Sequence, residues 1–246
     1  MFMTIVMTAG RQWPAVARAI ADRRVIAILF VTALLIGVNW WVFIYAVVVD
    51  RIVAASIGYF MNPVVSVLLG FIILRERLSA LQWVAVALAT SGVLTQVVAY
   101  GTVPWITLVL AFTFATYGLI RKTAPVNASS GLLIETALLF PVAFGILVWF
   151  ELEGSGAFGS RGLAFAALLT FAGIATGLPL LLYAAGAKRI KLATMGLLQY
   201  IAPSGNLLIA IWIFEEPFTG VEALTFAFIW LALIIYTAEI WRTRIV

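Results

Sequence analysis

Eight stretches of this chain are apolar over roughly the 20 residues that a helix needs to cross about 30 Å of hydrocarbon. They lie near 25–49, 52–74, 80–99, 104–120, 131–150, 163–187, 192–214 and 219–241. The connections between them are too short to hold a soluble domain. No other feature restricts the fold as strongly. Inside a bilayer every backbone N–H and C=O must find its partner within the protein, so only helices and closed barrels can span it. The apolar runs are continuous rather than alternating, which predicts helices and not strands. Composition enters here: 65% of the 246 residues are hydrophobic and only 10% are charged. A soluble domain carries about a quarter charged residues. The expectation is an all-α, polytopic membrane helix bundle in contact with the lipid bilayer. Eight full transmembrane helices follow an apolar stub, Met1–Gly10, that is too short to cross.

The charges order these spans. If the segment Arg11–Arg24 is cytoplasmic, parity assigns every other loop. Arg11, Arg18, Arg23, Arg24, Arg75, Arg77, Arg121, Lys122, Lys188, Arg189, Lys191, Arg242 and Arg244 then lie inside, 13 of the 15 basic residues. Arg51 and Arg161 lie outside, with Asp50, Glu151, Glu153, Glu215, Glu216 and Glu222. This is the asymmetry of the positive-inside rule. It accounts for the net charge of +5 without nucleic acid, since the basic residues are spread over several loops. Both the N-terminal basic segment and the C-terminus are expected in the cytoplasm. Tyr100, Trp105, Trp149 and Trp241 near span ends fit interfacial anchoring.

Two stretches resemble each other. Ile57-Gly-Tyr-Phe-Met-Asn-Pro63 leads through an apolar run to Arg75-Glu-Arg-Leu78, and Leu197-Leu-Gln-Tyr-Ile-Ala-Pro203 leads to Glu215-Glu-Pro-Phe218. Proline to glutamate spans 13 positions in each, Pro63 to Glu76 and Pro203 to Glu216, and the copies are offset by 140 residues. An odd number of crossings separates them, so they run through the membrane in opposite directions. Inverted repeats of this kind mark many secondary transporters, with substrate near the midplane at interrupted helices. Pro63 and Pro203 sit mid-span in matching places, and each removes a backbone donor and loosens its helix there.

Several motifs together resemble the drug/metabolite transporter superfamily, specifically the EamA family and its RarD branch. They are Asn39-Trp-Trp-Val-Phe-Ile-Tyr45, Ala55-Ser-Ile-Gly-Tyr-Phe-Met-Asn-Pro63 with Arg75-Glu-Arg-Leu78, and Leu81-Gln-Trp83. Further on come Tyr117-Gly-Leu-Ile-Arg-Lys122, Gly196-Leu-Leu-Gln-Tyr-Ile-Ala-Pro203, and Glu216-Pro-Phe218 with Phe228-Ile-Trp230. The resemblance covers essentially the whole chain. It implies inverted five-helix repeats, with residues 1–103 the remainder of the first and 104–246 the second. The first helix and most of the second of that pattern are missing, and a missed upstream start is the expected explanation. Ala54 stands where the RarD pattern implies glutamate, and Asn206 where it implies glutamine.

Polar groups inside spans are costly and often mark function. Glu135 is the one carboxylate set well inside a span; it reads equally as a substrate-amine or proton site and as a boundary residue hydrated or paired with Arg121 or Lys122. Glu239 reads as interfacial. Asn39, Asn62, Gln199 and Asn206 can hold a substrate or tie helices together, and singly the second is the better expectation. Asn62 and Gln199 gain weight beside Pro63 and Pro203. Trp40, Trp41, Tyr45, Tyr59, Tyr117, Tyr183 and Tyr200 can line an amphipathic cavity, although lipid or helix contact is the commoner role for any one of them. The substrate-pathway candidates are therefore Asn39, Trp40, Tyr45, Tyr59, Asn62, Pro63, Tyr117, Glu135, Tyr183, Gln199, Tyr200 and Pro203. Gly58, Gly70, Gly92, Gly118, Gly173, Gly177 and Gly196 are expected to permit close helix approach.

The chain has no cysteine and no histidine. That removes thiolate catalysis, zinc–cysteine sites and serine–histidine dyads. Asp22 and Asp50 are both in loops, so no intramembrane aspartate pair forms, and an intramembrane enzyme is remote. No Walker motif is present, and Gly154-Ser-Gly156 follows no strand, so it reads as a flexible outer loop. No cofactor and no metal are expected. The function expected is non-ATP, secondary transport or export of a small amphipathic solute or metabolite in a bacterial inner membrane. The competing reading is a non-transporting scaffold or inactive truncated transporter. A second copy of the chain stays open as a partner.

Overall fold

The computed structural model describes residues 2–49, 51–101, 105–156, 158, 160–205 and 220–244. Ten helices are described: α1 (Phe2–Ala9), α2 (Trp13–Ala21), α3 (Arg23–Val48), α4 (Ile52–Ile72), α5 (Ala80–Tyr100), α6 (Trp105–Thr123), α7 (Ala128–Leu152), α8 (Leu163–Ala187), α9 (Leu192–Leu198) and α10 (Gly220–Arg244). Among the described residues there is no strand. Among the described residues six helices are long and apolar enough to cross a membrane: α3, α4, α5, α7, α8 and α10. α6 is not among them, its last turn being occupied by Arg121 and Lys122.

The helix ends follow local chemistry. Asp22 Oδ1 accepts from the amides of Arg24 (2.8 Å) and Val25 (3.3 Å) at the start of α3. Ser79 caps α5 reciprocally with Gln82: Ser79 Oγ accepts from the Gln82 amide at 3.2 Å, and Gln82 Oε1 accepts from the Ser79 amide at 3.0 Å. Asn127 Oδ1 accepts from the Ser130 amide at 2.7 Å and starts α7. Gly101, at φ 75°, ends α5 in the left-handed conformation that glycine adopts without strain.

Two sequence expectations change. The basic segment 11–24 is not a plain loop, because it contains α2. The span expected over 192–214 is not one continuous helix. α9 stops after Leu198, two turn residues follow, and helix resumes at 201–205; residues 206–214 lie outside the described residues. Pro203 supplies the physical reason. Without an N–H it cannot donate to the Gln199 carbonyl, which instead accepts from the Ala202 amide at 3.2 Å. The amides of Gln199 and Tyr200 likewise reach back three residues, to Gly196 O (3.0 Å) and Leu197 O (3.1 Å), so the backbone tightens there. Pro63 has no such effect, and α4 runs through it.

The chain divides into two compact units. The first comprises residues 1–37 and 120–189. Here α1 and α2 pack on α7, and α1 also meets α8. Its core is Met7, Val16, Ala19, Val25, Leu29 and Ile134. Lys122 Nζ donates to Ala187 O (3.2 Å) at the end of α8, and Lys188 Nζ donates to Ala124 O (2.5 Å) just past the end of α6. Each lysine thus neutralises the other helix's carbonyl-rich end. Burial, and after it the Arg121 guanidinium, lowers the Lys188 ammonium below the ordinary lysine range. In α8 the buried residues, Leu180, Tyr183, Ala184 and Ala187, all lie in its last two turns, so the apolar sides of the rest need lipid to cover them.

The second unit comprises residues 38–119 and 190–246. α5 packs along α10, while α4 packs on both α5 and α9. The core runs from Phe60, Val67, Ala85, Ala89 and Val93 to Ala193, Leu197, Tyr200, Phe226, Ile229, Ala232 and Tyr236. Gly92 admits α10: a Cβ there would lie 3.0 Å from Thr225 O. Gly58 does the same against α6, where a Cβ would meet Leu110 Cβ at 3.0 Å. Gly173, by contrast, has nothing within 4 Å, so the close approach expected there does not occur.

Candidate substrate pathway

In the second unit the two proline-bearing segments meet. α4 crosses the α9 segment where Gly196 sits against Pro63 and Ser66; a Cβ at 196 would lie 2.9 Å from both Pro63 O and Ser66 Cβ. Asn62 Nδ2 donates to Gln199 Oε1 at 2.7 Å. Tyr200 is fully buried and its hydroxyl donates to Phe60 O at 3.0 Å. The Phe60 and Tyr200 rings lie 6.5 Å apart. Four of the expected residues, Asn62, Pro63, Gln199 and Tyr200, therefore share one crossing. Pro203 lies half-buried just beyond it, in the helical residues 201–205.

The remaining candidates are elsewhere. Asn39 is buried and ties α3 to α6, donating to Leu110 O at 3.0 Å and Thr113 Oγ1 at 2.9 Å. Trp40 is half-buried beside it in sequence. Tyr45 is 45% exposed and packs on Trp105, with ring centroids 5.8 Å apart. Tyr59 is on the unit's surface, edge-on to Phe43. Tyr117 is fully buried, 6.0 Å from the Phe114 ring. Glu135 and Tyr183 belong to the first unit, and both are buried. Asn206 and Glu216 lie outside the described residues.

Glu135 is not a hydrated boundary residue. It is 1% exposed, accepts from Thr32 Oγ1 at 2.5 Å and lies 3.5 Å from Arg121 Nε. Arg121, expected in a cytoplasmic loop, is helical and fully buried; its Nη2 donates to Ala128 O at 2.9 Å. Its guanidinium fills the space that a side chain at Gly131 would take. Glu239 is more buried than an interfacial residue, at 4% exposed, but it does pair with Arg242 at 3.2 Å.

The known relatives bear on what such a crossing serves. The model of the EamA-like transporter family matches residues 1–97. A protein of Vibrio cholerae named as an uncharacterized transporter is 41% identical over 237 residues, which cover 96% of this chain and 78% of the relative. Protein RarD of Escherichia coli is 43% identical over 238 residues, 97% of this chain and 80% of the relative. The chain belongs to the EamA-like transporter family. More distant within it, the chloramphenicol-sensitive protein RarD of Pseudomonas aeruginosa is 31% identical over 235 residues, 94% of this chain and 78% of the relative. As an EamA-like protein, and with six apolar spans among its described residues, the chain is a multi-pass membrane protein of the RarD type.

In this EamA-like chain one polar residue was absent from the candidate set although the repeat contains it. The Glu76 carboxylate caps α9, accepting from the amides of Leu192 (2.7 Å) and Ala193 (3.0 Å). Arg75 turns the chain to bring it there, at φ 53°, and the Glu76 amide closes the turn on Gly70 O at 3.0 Å. A Cβ at Gly70 would fall 2.8 Å from Glu76 Oε2, so a side chain there would push the carboxylate from its place. The shared proline-to-glutamate spacing was the available signal. Among the described residues no group of three or more acidic side chains could hold a metal.

Proposed function

We propose that the protein is a secondary transporter that moves small amphipathic solutes or metabolites across a bacterial inner membrane without ATP. Membership of a family named for transporters supports the class. The observation that carries the mechanism is the uncharged, part-buried Asn62–Gln199 contact at the crossing of α4 and α9. Such amide groups bind polar substrate atoms without the cost of burying a charge. Around them Phe60, Tyr200 and Phe226 supply aromatic surface, which suits a solute with an apolar body.

Two inverted halves, 1–103 and 104–246, fit the helix register. α3 and α4 begin at residues 23 and 52; α8 and α9 begin at 163 and 192, each 140 residues later. In this reading the halves alternate in opening to either side. The basic loops and both termini face the cytoplasm. The twelve candidates of the sequence are kept as proposed pathway residues, and within the second unit Asn62 and Gln199 are the pair in direct contact. The chain is not read as an enzyme.

Flux into liposomes tests this. Purified protein is reconstituted without nucleotide and challenged with solute, proton and sodium gradients. The panel includes chloramphenicol, because the Pseudomonas relative is named for sensitivity to it. Saturable counterflow of at least one solute is expected, lost in Asn62→Leu. Absence of flux across the panel under every gradient would overturn the proposal. Orientation is read separately. The chain has no cysteine, so single cysteines at Arg189 and Ser155 report their sides to an impermeant thiol reagent. Labelling from the outside is expected at 155 alone.

A further inference from the structure

α4 turns two polar side chains toward α9, and each has an atom without a hydrogen-bond partner among the described residues. These atoms are Asn62 Oδ1 and Ser66 Oγ. Asn62 is 3% exposed and Ser66 fully buried. Four residues apart, they lie on one helix face. Opposite them, three residues apart on α9, are Gly196 and Gln199. Glycine at 196 is what lets Ser66 approach, because a Cβ would meet Ser66 Cβ at 2.9 Å. The Asn62 amide nitrogen is already spent on Gln199 Oε1. Gln199 Nε2 reaches only Met195 O, at 3.5 Å, a weak contact.

The spare capacity is therefore specific. It consists of one carbonyl acceptor, one hydroxyl and one loosely held amide N–H, with no charged side chain among them. A buried acceptor left without a donor costs about 1–3 kcal/mol. Two such atoms one turn apart, at the level where a helix breaks, are explained by an occupant that comes and goes. A carboxylate could not be that occupant, since burying its charge with no cation present is prohibitive. A neutral N–H group could.

We propose that the α4/α9 crossing is a seat for a neutral, hydrogen-bond-donating nitrogen, such as a primary amide. Asn62 Oδ1 accepts from it and the Ser66 hydroxyl bonds its carbonyl. The apolar body of the ligand lies toward Phe60 and Tyr200. The assignment builds on the transport reading above and names the chemistry of the solute.

The test uses the full chain in lipid nanodiscs and four probes: indole-3-acetamide, methyl indole-3-acetate, indole-3-acetate and tryptamine. They share one ring system and differ in the group offered to the seat. Calorimetric titration is expected to show the acetamide bound about three- to tenfold more tightly than the ester, the equivalent of one or two neutral hydrogen bonds. The acetate is expected to bind worst. Ser66→Ala should weaken acetamide and ester alike by about three- to tenfold, because both present the carbonyl that the hydroxyl bonds. Asn62→Asp, which places an anion at the acceptor, should shift preference from the acetamide to tryptamine, a change that a purely structural asparagine does not predict. Unfolding midpoints of both variants are measured alongside, and either variant that folds suffices. Equal binding of acetamide and ester, no binding of any probe, unaltered affinity in a folded Ser66→Ala, or unaltered preference in a folded Asn62→Asp overturns the seat. Flux of the same probes separates the two readings. Selective binding without flux under any gradient refutes transport and leaves the seat standing; flux without selectivity refutes the seat alone.

Discussion

Glu135 and Arg121 give the sharpest test of how the first unit is held together. Both side chains are buried, at 1% and 0% exposed, and their nearest charged atoms are 3.5 Å apart. At an effective dielectric of about 20 that separation corresponds to roughly 5 kcal/mol of attraction. Glu135→Gln keeps an oxygen to accept from Thr32 and removes only the charge. Arg121 is then left buried with its counter-charge gone, and breaking a buried pair from one side costs about 3–5 kcal/mol. Replacing both partners removes the uncompensated charge, so Arg121→Met with Glu135→Gln should recover most of the loss. Reversible unfolding in mixed lipid–SDS micelles, followed by tryptophan fluorescence, reads all three free energies. The expected pattern is a strongly destabilised Glu135→Gln and a double variant markedly better than the sum of the single ones. A loss below about 1 kcal/mol for Glu135→Gln, or simple additivity, would refute the reasoning, since contacting groups should couple by more than 0.5 kcal/mol.

Four further outcomes follow. Gly196→Ala places a Cβ 2.9 Å from the Pro63 carbonyl and should cost about 1–3 kcal/mol by forcing α4 and α9 apart. Gly145→Ala, with nothing within 4 Å, should be neutral or mildly stabilising in the same unfolding assay. Glu76→Ala removes the cap of α9 and should cost about 0.5–2 kcal/mol, with faster hydrogen exchange at the Leu192 and Ala193 amides as its local signature. Lys188 titrates lower in the folded protein than in the unfolded chain. The unfolded state thus holds more protons between the two values, and stability from this group rises with pH across that alkaline window. Lys188→Met should remove that part of the rise, and parallel pH profiles for wild type and variant would contradict it.

How much of this was legible beforehand differs by residue. α8 was expected over 163–187 and occupies Leu163–Ala187, because a long apolar run in lipid has no better way to satisfy its backbone than a helix. The meeting of Asn62 with Gln199 was anticipated only as a shared level, from their places beside Pro63 and Pro203. That they bond directly depends on Gly196, whose missing side chain lets the helices touch. Ser66 gave no signal, since a serine in an apolar span is ordinary until its surroundings are known. Arg121 was misplaced for a related reason. Its charge reads as a loop residue until the fold brings Glu135 against it.

The sequence by itself determined the solvent of this protein, the places of most of its long apolar helices and the 140-residue offset between its two proline motifs. These follow from hydropathy, capping residues and spacing, which are local. Tertiary structure decided which polar groups are paired and which are left over, and for Glu135 it selected Arg121 from the partners that the sequence had left open. Arg121 is matched by Glu135, the α9 amides by Glu76, and Asn62 only in part by Gln199. Pairing depends on partners separated by 14, 116 and 137 residues, and only the packed helices bring such distant positions within hydrogen-bond reach.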